Sequence, residues 1–147
     1  MIEFLVRIHR PHPGAPRFVH NAPMRIAGSI LVALVALEHA WFLILEMFLF
    51  RRPAGLEAFH MSQEKADTCA VLAMNQGLYN GFLAAGLLTS LLARSRLLRR
   101  FMLGCVIVAG IFGAASLGDK AVFTGQSLPA LLALIVSELG DRRSAHD

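Results

Sequence analysis

An all-α fold, an integral membrane bundle of four transmembrane helices with N- and C-termini cytoplasmic, is predicted by three features of this sequence. Over 147 residues, 56% are hydrophobic and only 16% charged, against roughly 25% charged in ordinary globular domains. The mean hydropathy is +0.58, and a water-soluble fold this apolar would expose large patches and aggregate. The apolar residues gather into four runs, and arginines flank those runs. The net charge of +4 therefore reads as orientation in a bilayer. Nucleic acid is not an expected partner, because no exposed basic face is interleaved with aromatics.

Residues 1–23 are polar, with Arg7, Arg10, Arg17, three His and four Pro, and read as a cytoplasmic tail. They contain no apolar core leading to a small-residue cleavage site. Met24 followed by Arg25 and an apolar run is a second candidate start of translation. The transmembrane domain is expected over residues 24–140. Its first span, residues 26–50, exceeds the roughly 20 residues a helix needs to cross, and Pro53 is expected to close it. A polar loop reaches Asp67. The second span, residues 68–92, ends in the basic run Arg94, Arg96, Arg99, Arg100. The third covers residues 101–117, and a loop opens at Gly118-Asp119-Lys120.

The fourth span, residues 121–139, has a short clearly apolar run from Ser127, with Ser127 as expected N-cap and Pro129 in the first turn. A re-entrant helix is the alternative. Residues 141–147 form a second cytoplasmic tail. With the N-terminus inside, ten basic residues lie inside and Arg51, Arg52, Lys65 and Lys120 outside, out of 14. Cys69 and Cys105 fall at opposite ends of different spans, too far apart for a disulfide. No zinc-type Cys/His spacing occurs.

Chemistry-bearing residues interrupt the apolar runs. Glu38, His39 and Glu46 lie in the first span. An ionised acid near the bilayer centre costs roughly 2.5–3.5 kcal/mol. The 14 Leu, Ile, Val and Phe of residues 26–50 return about 0.3–0.6 kcal/mol each. The sums nearly cancel, so the acids are expected to be neutral, paired or turned towards neighbouring helices. The second span carries Asn75, Gln76, Tyr79 and Asn80, with Gln76 and Asn80 at i,i+4. In an antiparallel pair these amides meet Glu38, His39 and Glu46 at mid-depth. Gly77-x-x-x-Gly81 permits close approach there, and Ala109-x-x-x-Gly113 offers the same on the third span. Glu38, His39 and Glu46 are the candidate catalytic groups, and Asn75, Gln76, Tyr79 and Asn80 the candidate ligand-binding face. No metal set is evident. His39 is a candidate haem ligand with an open sixth position. The bland alternative is that the cluster only holds helices together.

Three stretches carry a resemblance. Val35-Ala-Leu-Glu38-His39 running on to Leu45-Glu46-Met47-Phe48-Leu49, Asn75-Gln76-Gly77-Leu78-Tyr79-Asn80-Gly81-Phe82-Leu83-Ala84, and Gly125-Gln126-Ser127-Leu128-Pro129-Ala130 are similar to the signatures of the domain of unknown function 1304 family. The resemblance covers roughly Met24 to Leu139 and implies a multi-pass membrane protein with no assigned activity or cofactor. The cell inner membrane is the expected location and the lipid bilayer the first partner. Three readings follow, in this order: a protein that binds or converts a small apolar molecule, a small proton-coupled transporter, and a structural or assembly subunit. A homo-oligomer is compatible with each.

Overall fold

The computed structural model describes residues 22–143. The expected N-terminal tail, apart from Ala22 and Pro23, and the choice between Met1 and Met24 lie outside the described residues, as do residues 144–147. The described chain is all helix, with no strand. Helix α1 (Ala22–Ile44) continues through one wide π-helical turn, Leu45–Leu49. Helix α2 (Pro53–Ala58) is short, and α3 (Gln63–Leu92) is the longest at 30 residues. Helix α4 (Arg96–Leu117) follows, then α5 (Lys120–Val122), which runs through a second π-helical turn, Phe123–Ser127, into α6 (Leu128–Arg143).

The boundaries follow from local chemistry. Pro53 starts α2 instead of merely ending α1, because a first-turn residue needs no N–H partner. The Ser62 hydroxyl accepts from the Lys65 N–H at 3.3 Å. That cap starts α3 inside the expected loop. Ser95 caps α4 in the same way, accepting from Leu98 N–H at 3.3 Å, so the basic run is helical. Between α3 and α4 only residues 93–95 intervene. Arg94 adopts the left-handed conformation at φ 50°, and the Ser95 N–H reaches back to Ser90 O at 3.0 Å. Gly118, at φ 68°, ends α4. The Asp119 carboxylate then accepts from Ala121 N–H at 2.8 Å.

That last cap corrects the expected start of the fourth segment. Ser127 is not an N-cap; it lies inside a continuous helix. Pro129 has no N–H to give the preceding turn, and the chain widens there, with Leu128 N–H bonding Phe123 O. A π turn absorbs the proline without breaking the helix. The segment is an unbroken helix of 23 residues, Lys120–Arg142, long and apolar enough to cross a membrane.

The four long helices alternate in direction and close a ring: α1 packs on α3 and α6, and α4 packs on the same two. Inside are mostly small or β-branched side chains, among them Val32, Val35, Ala36, Val106, Ala130 and Ala133, with Leu87 and Leu103. Outside are large apolar ones, such as Leu37, Phe48, Val71, Leu72, Phe112 and Leu117. This is the reverse of a bundle folded in water. Three helices are long and apolar enough to cross a membrane: Ala22–Leu49, Arg96–Leu117 and Lys120–Arg142. Helix α3 has the length, but Asn75, Gln76 and Asn80 dilute its apolar stretch.

Candidate functional site

Glycine brings α1 and α3 together. A Cβ on Gly77 would lie 2.7 Å from Met47 Cγ and 3.0 Å from Glu46 Cβ, so no larger residue fits without moving the helices apart. One turn on, Gly81 faces Leu43. This close approach carries the Asn80 side chain to the acid of α1. Its Nδ2 donates to Glu46 Oε2 at 2.7 Å. Asn80 is buried and Glu46 half-buried. Glu46 stands in the π turn, and such turns recur at functional sites.

The other expected members of the cluster are dispersed. Asn75, Gln76 and Tyr79 are exposed on the outside of the bundle. The buried line of α3 runs through Gly77, Asn80, Ala84 and Leu87. At 100° per residue, Gln76 falls about 60° off that line, Tyr79 about 120°, and Asn75 on nearly the opposite face. An i,i+4 relation to Asn80 was therefore not enough to turn Gln76 inward. The expected single amide face meeting three α1 side chains reduces to one pair.

Glu38 turns the other way. A Cβ on Gly125 would sit 3.9 Å from Glu38 Oε1, which places this half-buried acid beside the second π turn. His39 points into the core at 1% exposure. Its Nδ1 is 2.9 Å from Val35 O. A carbonyl oxygen only accepts, so Nδ1 carries the proton and Nε2 keeps its lone pair in the neutral ring. The ring stands edge-on to Phe42 at 5.8 Å. Among the described residues, no three His, Cys, Asp or Glu side chains converge as a metal would require.

A recess of about 550 Å³ opens beside Glu46, lined also by Met47, Phe50, Arg51, Arg52, Asp67 and Met74. Its chemistry is mixed: two guanidinium groups and two carboxylates at the mouth, apolar side chains along the wall. Glu46 can thus offer a carboxyl group, already positioned by Asn80, to a molecule entering from that end. His39 and Glu38 line neither this recess nor the larger one at the opposite end.

The α4–α6 side holds polar contacts of its own. Ser127 Oγ donates to Ile107 O at 3.0 Å, across a contact where Gly110 leaves no room for a Cβ. Of the expected Ala109 and Gly113 pair, Gly113 packs closely, a Cβ there lying 3.1 Å from Val122 Cγ1, whereas Ala109 is exposed and Gly110 makes the tighter approach. Near the basic end, Arg100 donates twice to Glu138 at 2.6 Å, and Arg99 and Arg96 pair with Asp141. These pairs were not expected from sequence, although Arg96, Arg99 and Arg100 share one helix face and so do Glu138 and Asp141.

The protein family described as protein of unknown function (DUF1304) matches residues 33–137. The chain belongs to the DUF1304 family. The uncharacterized protein YpaA of Lactococcus lactis subsp. lactis (strain IL1403) is 34% identical to it over 118 residues, 78% of this chain and 98% of that protein. No solved structure matches. The DUF1304 stretch contains Glu38, His39, Glu46, Asn80, Gly110 and Ser127, whereas Arg25 and Asp141 stand outside it.

Proposed function

We propose that this DUF1304 protein is a four-span protein of the cell inner membrane that binds a small, largely apolar molecule in the recess beside Glu46. The outward placement of large apolar side chains, with small ones inside, supports a lipid surround. In lipid, helix association rests on close packing of small residues and on hydrogen bonds between helices. Gly77, Gly81, Gly110 and Ser127 have those roles here. Helix α3 is the fourth span in this reading. Its Asn80 has a partner in Glu46, and its outward amides Asn75 and Gln76 would be met by a second copy of the chain, since hydrocarbon offers them none. The basic end, with Arg25, Arg94, Arg96, Arg99 and Arg100, faces the cytoplasm.

The observation that carries the binding reading is the Glu46–Asn80 pair at the wall of an open recess. A membrane acid is by default a functional group, and this one is both fixed in position and reachable. Glu46 is the polar anchor of the ligand and its proton donor or acceptor. Proton-coupled transport is a second reading, favoured by the presence of a further acid, Glu38, about 12 Å deeper along α1. The test uses dicyclohexylcarbodiimide, a small apolar reagent that adds to neutral carboxyl groups. Labelling of the purified full chain in detergent is expected at Glu46, and its loss in a folded Glu46→Gln variant. A folded protein that takes no label at Glu46 would rule out the recess as the site. Label at Glu38 instead would move the reading to transport.

A further inference from the structure

At the opposite end of the bundle, where α1 begins, α3 ends, α4 begins and α6 ends, lies a recess of about 610 Å³. It is separate from the Glu46 site. Four of its lining residues are arginines, Arg25, Arg94, Arg96 and Arg99, against one acid, Asp141. Asp141 is committed: it takes Arg96 Nε at 3.3 Å and also Arg99. Among the described residues Arg25 and Arg94 have no ion-pair partner, and both are exposed at the rim. Positive charge is left over where these four helix ends meet.

Two buried groups point to what would balance it. Ser137 lines the recess, is 4% exposed, and its hydroxyl has no hydrogen-bond partner. The Nε of Arg99 is likewise buried without an acceptor. Unsatisfied buried polar groups are rare and call for an explanation such as a bound ion. Both donors look for acceptor oxygens, and the surplus charge calls for an anion. Bidentate guanidinium recognition suits the several oxygens of a phosphate. On the α1 side the wall continues over Ile26, Ile30 and Ala33. That apolar track suits a phosphate that carries an acyl chain, as basic pockets between membrane helices commonly hold.

We infer that this recess binds a phosphate group, supplied by an acidic phospholipid headgroup or by free phosphate. The test measures binding to the full chain in nonionic detergent at fixed ionic strength, by native mass spectrometry and thermal shift. The probes are phosphatidylglycerol, phosphatidylcholine and inorganic phosphate, the last compared with chloride. Phosphatidylglycerol is expected to bind tighter than phosphatidylcholine, which assigns the site to the headgroup. Stabilisation by inorganic phosphate alone assigns it to the free anion. In either case Arg25→Gln/Arg94→Gln should weaken binding by about 25-fold, roughly fivefold per arginine. Lys65→Gln/Lys120→Gln removes the same charge from the far end, outside both recesses, and should change it less than twofold. All four positions are exposed, so folding is expected to survive. Equal weakening by both double variants overturns the inference, as does no preference for phosphatidylglycerol over phosphatidylcholine together with none for inorganic phosphate over chloride.

Discussion

The Asn80 amide is the residue on which the candidate site turns. Its 2.7 Å bond to Glu46 ties α3 to the π turn of α1, and each partner would otherwise leave a polar atom without company inside the bundle. Interhelical hydrogen bonds in membranes average well under 2 kcal/mol, but stranding one partner costs more than the bond itself is worth. Asn80→Leu is therefore expected to destabilise the chain by about 1–3 kcal/mol. Glu46→Gln keeps an acceptor for the amide and should cost less than about 1 kcal/mol. A double-mutant cycle with Glu46→Ala and Asn80→Ala, followed by thermal unfolding in detergent, should return a coupling of roughly 1 kcal/mol. A coupling indistinguishable from zero would mean that the two side chains do not meet.

At the scale of elements, glycine decides how closely the helices approach, and two glycines of α4 should behave oppositely. A Cβ on Gly110 would come within 2.3 Å of Ser127 Oγ and 3.0 Å of Ser127 N. The second of these is backbone and cannot rotate away. Gly110→Ala should therefore cost about 1–3 kcal/mol by overpacking. Gly104 has nothing within 4 Å of such a Cβ, so Gly104→Ala should stabilise by about 0.5–1 kcal/mol through helix propensity. Comparing the two melting temperatures checks the register of α4 against α6. The existence and order of the long helices were legible because apolar runs and flanking arginines survive any detail of packing. Which face each helix buries was not. Gln76 and Asn80 are nearly aligned on the helix, and only the path of the neighbouring α1 decides that one is covered and the other left outside. The widened turns at Leu45–Leu49 and Phe123–Ser127 leave little trace in composition, although Pro129 marks the second. Of the acidic partners of the α4 arginines, Glu138 lay at the end of the expected fourth span and Asp141 in a segment read as a tail.

For the whole molecule, the ring of four alternating helices sets both ends by connectivity. The segment from Phe50 to Ser62 and the turn at Gly118-Asp119 share one end; the Ala93–Ser95 turn and the end of α6 share the other. The arginines make these ends unequal, since Arg25, Arg94, Arg96, Arg99 and Arg100 crowd the second end and only Arg51, Arg52, Lys65 and Lys120 mark the first. Basic residues near span ends are retained on the cytoplasmic side, so a bilayer should hold the chain in one orientation. Single cysteines placed in a background lacking Cys69 and Cys105 read this out in intact cells. Glu57→Cys and Lys120→Cys should react with an impermeant maleimide from outside, and Ala93→Cys only after the membrane is opened. Labelling of Ala93→Cys alone would invert the orientation while keeping the bundle. Labelling of Glu57→Cys and Ala93→Cys from the same side would mean that α3 does not cross.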